Sequence, residues 1–360
     1  MRADPESYFP PHYRAARQNF IAAAEAAGVD VVTRVHPGAR GPDGKPLFLD
    51  TTAIGPRHAA RALLLISGTH GVEGYFGSGA QTGLLREGLT APKDARIVLV
   101  HALNPYGFAW DRRVNENNVD INRNFVDYGQ PPDNPEYRLL AKEIAPRDLE
   151  PATLSAANKI LLAYRAAHGA SALQAAISRG QYEFPKGLWF GGFKPCWSLA
   201  MLRAVLTEDL ARVRNLTVID FHTGLGAPGA GELITEALPG SAAYARSAAI
   251  WGAKVKSSEA GESLSPALTG TLDRALAAWL PQVELTFAAL EVGTLPVIQV
   301  FDALRRDNWL HNFAGEAGKL HASAIAQQCR DAFFVDSVEW KRKVFALARE
   351  AVTAALGAIV

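Results

Sequence analysis

Two of the nine histidines stand where an apolar run gives way to a loop. His70 comes just after Arg61–Ser67 and the turn glycine Gly68, and His222 closes the run Leu216–His222. Glu73 lies three residues beyond His70. In a tight turn that opens a helix, this spacing can aim both side chains at one point. Two neutral imidazoles and a carboxylate leave the fourth position of a tetrahedral zinc to water, which is the donor set of a catalytic rather than a structural site. Taken alone, His-x-x-Glu is a short pattern that satisfied polar loop residues also produce. A second polar group is Val119-Asp-Ile-Asn-Arg-Asn-Phe125, where Asp120, Asn122 and Arg123 either take part in chemistry or form a solvated loop with an Asx turn. A third is Ala289-Leu-Glu-Val-Gly293, which sets Glu291 in an apolar strand. A carboxylate there is costly unless it is paired or used, or else it faces outward.

The elements that must position these residues alternate between strand and helix. Arg61–Ser67, Arg96–Leu103, Leu216–His222 and Val283–Val292 are near-continuous apolar runs of strand length, each stopped by a turn residue or a polar loop. Val31–Val35 and Leu47–Leu49 read as shorter strands. Helices are predicted near 12–27, 74–87, 135–145, 152–178 and 198–213, and the segment from about 296 to 358 is largely helical. Residues 111–133 are polar and read as a long loop, and loops of that length in a compact domain usually carry function. Strand–helix–strand alternation argues for an α/β sheet with parallel pairs, and in open sheets of that kind sites cluster outside the carboxyl ends of the strands. No linker or repeat divides residues 1–360, so one domain is expected.

The motifs together resemble a known superfamily. Gly68-Thr-His-Gly-Val-Glu73, Asn104-Pro-Tyr-Gly107, Val119–Phe125, Asp220-Phe-His222 and Ala289–Gly293 occur in the order seen in zinc carboxypeptidases of the carboxypeptidase A type. That superfamily also holds the aspartoacylase and succinylglutamate desuccinylase branch. Gly180-Gln-Tyr-Glu-Phe-Pro185, Trp189-Phe-Gly-Gly192 and His222-Thr-Gly-Leu-Gly226 look like a poorly characterised bacterial branch of it. The resemblance implies an α/β fold, a single-domain mixed twisted β-sheet of about eight strands flanked by helices. It implies one Zn2+ per chain held by His70, Glu73 and His222, with Asp120 bonded to the free nitrogen of His70. It makes Glu291 the general base, and Asn122 and Arg123 the groups that bind a substrate carboxylate. The arginine that polarises the scissile carbonyl is either Arg112 or Arg113, with Arg113 preferred. The mobile tyrosine of carboxypeptidases finds no counterpart. The activity implied is hydrolysis of an amide bond next to a free carboxylate, in a small peptide or an N-acyl amino acid.

Other classes fit less well. Lys plus Arg is 37 and Asp plus Glu is 36, a balance that favours neither nucleic acid nor an anionic membrane. Two cysteines make no disulfide framework, and the N-terminus carries acids and prolines where a secretory signal would be apolar, so the cytoplasm is expected. No apolar run is long enough to span a bilayer. Gly224-Leu-Gly-Ala-Pro-Gly229 matches the glycine fingerprint of a nucleotide-binding oxidoreductase, yet Pro228 and a strand-like Leu233-Ile-Thr follow it where a helix is needed. A non-catalytic binding protein on this fold predicts lost ligands or a lost base, and none is missing. His101, His168, His311 and His321 are expected to be structural. Trp189, Phe190, Phe193 and Trp197 either shape a substrate pocket or form a hydrophobic plug. The sequence leaves the oligomeric state open.

Overall fold

The computed structural model describes residues 4–360. Its strands are β1 (Val31–Arg40), β2 (Pro46–Ile54), β3 (Arg61–Ser67), β4 (Ala95–His101), β5 (Asn215–Thr223), β6 (Gly231–Thr235), β7 (Val255–Ser257) and β8 (Glu284–Val292). They form one sheet in the order β1-β2-β4-β3-β5-β8-β6-β7. The four strands read as continuous apolar runs, β4, β3, β5 and β8, pair in parallel at its centre. Such runs need cover on both faces, and every residue of β4 is buried. Antiparallel pairs flank this centre, β1 with β2 and β2 with β4 on one side, β6 with β8 on the other. The sheet is therefore mixed, with eight strands between helices.

Helices follow as α1 (Tyr13–Ala26), α2 (Gly74–Arg86), α3 (Pro105–Ala109), α4 (Pro135–Ile144), α5 (Pro151–His168), α6 (Ala170–Ser178), α7 (Trp197–Asp209), α8 (Ala242–Trp251), α9 (Leu272–Trp279), α10 (Val297–Asn312), α11 (Ala322–Phe333) and α12 (Val338–Ala358). Strand side chains alternate between faces, so odd and even positions enter different cores. Leu63, Leu65 and Phe221 pack with Phe20 of α1, Phe76 of α2 and Phe345 of α12. Leu64, Ile66 and Val218 pack with Leu202 of α7 and Leu276 of α9. His222 follows Val218 by four positions, and Glu291 follows Phe287, which packs on that second core, by four. Both functional side chains thus leave the sheet on the α7–α9 face, at the carboxyl ends of adjacent strands.

One glycine sets the height of α2. A Cβ on Gly77 would stand 2.6 Å from the Cβ of Ser67, so only glycine lets this helix lie directly on β3. Since Glu73 sits at the entry to α2, that approach also fixes a candidate ligand. The predicted helix 152–178 is two helices, broken where Gly169 takes φ +92°. Between 230 and 257 the sequence pattern shows only the strand-like Leu233-Ile-Thr, whereas the chain there forms β6, α8 and β7. Cys196 and Cys329 are both free. Among the described residues, no helix is long and apolar enough to cross a membrane.

The loop after α3 is tied down at its start by Asp111, whose carboxylate accepts a 2.6 Å hydrogen bond from the Tyr75 hydroxyl. Burial pushes the Asp111 carboxyl up to about 6, against the pull of Tyr75 and Arg330. A carboxyl raised on folding costs stability as pH climbs from the unfolded value near 4 to about 6, and the cost persists above that. Asp111 has φ +53°, which asparagine also tolerates. Asp111→Asn is therefore expected to raise Tm at pH 8 by on the order of 1–3 °C and to leave it unchanged at pH 4. Thermal unfolding of the two proteins at both pH values checks this, and a variant no more stable at pH 8 contradicts it.

Candidate metal centre

The chain leaves β3 through Gly68 (φ +67°), turns at His70 and enters α2 through the short turn Gly71–Glu73. This turn is bonded to the following loop: Gly71 N donates to Arg113 O at 3.1 Å and Val72 N to Arg112 O at 2.8 Å. A Cβ on Gly71 would meet the Gly107 backbone at 2.1 Å, so the two segments touch without a side chain between them. His222 reaches the same place from β5, and the parallel register sets it directly beside Glu291 on β8.

Three donor groups converge there. His70 Nδ1 lies 3.0 Å from Glu73 Oε1, His222 Nδ1 lies 3.0 Å from Glu73 Oε2, and the two Nδ1 atoms are 3.2 Å apart. Bonds of about 2.0–2.2 Å to a tetrahedral ion place its ligand atoms about 3.3 Å apart, close to the spacing of the two Nδ1 atoms and of each from its nearer Glu73 oxygen. The outer nitrogens support this use. His222 Nε2 lies 2.7 Å from Asp220 Oδ2, and His70 Nε2 lies 3.1 Å from Asp120 Oδ1. Where Nε2–H donates to each carboxylate, both Nδ1 lone pairs point towards Glu73 and each other, the orientation that ligation of a cation needs. The donor set fits zinc.

The electrostatics of the protein groups follow the same geometry. Burial opposes charge on Glu73, yet His70 and His222 hold its carboxyl well below the usual range. Burial likewise opposes charge on Asp120, and Arg113 and His70 outweigh it. For His222, burial is overcome by Asp220 and Glu73, which raise it well above an ordinary histidine. Glu291 behaves in the opposite way. Burial, reinforced by the nearby Glu73, pushes it up to about 8, while His222 and a 2.9 Å hydrogen bond from Leu225 N pull it down.

The two candidate arginines separate cleanly. Arg113 lies over the triad, with Nε 3.0 Å from Asp120 Oδ2 and Nη1 3.0 Å from Glu73 Oε1. Its Nη2 comes within 2.8 Å of His70 Nε2, which can donate to Asp120 or accept from Arg113. Arg112 points away, paired with Asp307 at 3.1 Å and bonded to Asn118. Arg123 is buried, its Nη2 bonded to Ser178 O and its Nη1 to Asn122 O, both at 2.8 Å, leaving guanidinium N–H groups to spare. Asn122 Oδ1 accepts from Leu272 N at 2.9 Å, which leaves the amide N–H2 for a ligand. His70, Glu73, Arg113, Asn122, Arg123, His222 and Glu291 all line one cavity of about 840 Å³. Asp120 stands behind it, against His70 and Arg113.

Sequence reasoning missed Asp220 as a partner of His222, and Thr69, whose hydroxyl donates to Asp220 at 2.8 Å. The signal was present: Asp220 and His222 are two apart, hence on one face of β5. The aromatic loop divides. Trp189 lines the cavity and stacks on Phe301 at 6.1 Å, whereas Phe190 packs on Phe193, and Trp197 packs on His36. His101 is fully buried, bonded to Ser78 and stacked on Phe20, and lies apart from the site. Gly224–Gly229 leads into β6 rather than a helix, so it offers no helix N-terminus to a nucleotide phosphate. None of the described residues lining the cavity is a tyrosine.

The family described as protein of unknown function (DUF2817) matches residues 9–347. Curated proteins give no significant match. Among solved structures, the chain is similar to carboxypeptidase A from Helicoverpa armigera, with 12% identity, 89% of this chain and 73% of that chain covered, and a TM-score of 0.45. It is similar to bovine thrombin-activatable fibrinolysis inhibitor, with 11% identity, coverage of 96% and 98%, and a TM-score of 0.46. It is also similar to an aspartoacylase family protein from Mesorhizobium loti, with 17% identity, coverage of 79% and 67%, and a TM-score of 0.38.

Proposed function

The chain belongs to the DUF2817 family, whose description assigns no activity, and on the geometry of its site we propose that it is a zinc-dependent hydrolase of amides bearing a free carboxylate. The observation that carries this reading is the convergence of His70 Nδ1, His222 Nδ1 and the Glu73 carboxylate, with each imidazole backed by an aspartate. When bound, zinc supplies a Lewis acid that makes water nucleophilic near neutral pH and polarises a carbonyl.

The chain's own groups do the rest. Asn122 and Arg123 take the substrate carboxylate, Arg123 with a planar fork matched to two oxygens. That clamp holds the amide carbonyl beside the triad. Arg113 donates to the carbonyl oxygen as negative charge develops there, a contribution worth roughly 3–4 kcal/mol for a well-placed donor. Glu291 takes a proton from the attacking water and delivers it to the departing amine nitrogen.

The test is a hydrolysis screen of the zinc-loaded protein on C-terminal dipeptides and N-acyl amino acids, each paired with its C-terminal carboxamide. The free acids are expected to turn over at least about a hundredfold faster than the blocked forms, reflecting the lost charge-assisted bonds to Arg123 and Asn122. Equal rates on both members of each pair would remove the carboxylate clamp from the account.

A further inference from the structure

The two ends of the cavity differ in chemistry. At about 840 Å³ it exceeds what one amino acid fills and falls in the range of drug-sized ligands. Beside Asn122 and Arg123 its wall is polar, built by Glu236, Thr271 and Asp273. The rest of the lining is largely apolar, from Leu162 of α5, Leu173 and Ile177 of α6, and Val297, Ile298 and Phe301 of α10, with Asn158 and Arg165 of α5 as polar exceptions. Helix α6 runs along this wall from the clamp, where its last residue, Ser178, holds Arg123. Leu264 reaches over the gap: its Cδ1 stands 3.3 Å from where a Gly226 Cβ would be, and its carbonyl is held by Gln174 at 2.8 Å.

This apolar wall is partly open to water. Leu162 is 59% exposed, Leu264 52%, Val297 60% and Ile298 64%. A single exposed aliphatic residue needs no explanation, but four around one cavity that also holds a metal triad do. The wall is backed by a packed cluster that includes Leu161, Ala176, Val300, Leu304 and Phe333, so its shape exists before anything binds. An apolar chain laid along it would cover the open residues.

We propose that the substrate is an N-acyl amino acid carrying a medium- to long-chain fatty acyl group. The amino-acid part, with its carboxylate on Asn122 and Arg123, lies at the polar end. The acyl chain lies along α5, α6 and the first turn of α10, under Leu264. The inference rests on the hydrolase reading above and assigns the two sides of the scissile bond. Hydrolysis adds one water: the C–N bond breaks, the acyl carbon gains the water oxygen and leaves as a fatty acid, and the amine nitrogen gains the proton.

The test uses the zinc-loaded full chain and a series of N-acylglycines from acetyl through butanoyl and octanoyl to dodecanoyl, with a C-terminal dipeptide as reference. Amine release is measured. Each methylene buried is worth about a fourfold gain, so kcat/KM is expected to rise about a hundredfold or more from acetyl to octanoyl. Ile298→Asp and Leu162→Asp alter exposed positions that the core does not use, and each should cut the octanoyl-to-acetyl ratio at least tenfold. A flat or falling series, an intact ratio in both variants, or hydrolysis of the dipeptide alone would overturn this inference while sparing the hydrolase reading. No hydrolysis of any member, dipeptide included, would overturn both.

Discussion

Glu291→Gln is expected to lower kcat by about 10²–10⁴-fold while zinc content stays at the wild-type level. The expectation follows from where the side chain sits. Glu291 faces the cavity beside His222 in the parallel register of β5 and β8, yet it is not one of the three converging donors. Glutamine keeps the volume and can still accept the hydrogen bond from Leu225 N, so the fold loses nothing. What it cannot do is take a proton from water. Because the lost group acts on bond-making and not on the carboxylate clamp, the effect should fall on kcat with KM little changed. Rates must be expressed per bound zinc. A variant within tenfold of the wild type would place the base elsewhere.

His222→Ala should have the largest effect of all, loss of both the metal and the activity. Removing a partner that stands behind a metal ligand costs about 10–100-fold in affinity, and removing the ligand itself costs more. At this site the change also strands its neighbours. Asp220 loses the imidazole it holds at 2.7 Å, and Glu73 Oε2 keeps only the bond from Thr223 N at 3.0 Å. Two buried carboxylates would then lie near each other with less positive charge between them. Zinc retention by this variant at wild-type affinity would show that the cation binds elsewhere.

Much of the framework was legible because its signals are local and periodic. The four central strands are continuous apolar runs, and a buried parallel strand has little else to show. The grouping of His70, Glu73 and His222 was legible for a related reason. Each lies at the carboxyl end of a strand or in the turn that follows, where an α/β sheet brings distant segments together. Arg112 and Arg113 could not be told apart by residue type, since a loop has no period that fixes which way a side chain points. The structure resolves them through the backbone bonds from Gly71 and Val72, which turn Arg113 towards the triad and Arg112 towards Asp307. Asp220 was readable but unread: its alternation with His222 puts both on one face. The cavity walls were not readable at all. Leu162, Leu264 and Ile298 come from three separate segments, and only tertiary packing joins them to Arg123. The break at Gly169 was hidden because a single glycine inside a helical pattern is often tolerated.

The most direct measurement is the zinc content of the purified chain after stripping with a chelator and re-equilibration with zinc by dialysis. The account predicts about one zinc per wild-type chain and close to none in His70→Ala and His222→Ala, as expected of a three-donor site that cannot spare an imidazole. Less than about half an equivalent in the wild type, or an unchanged content in both variants, would contradict it.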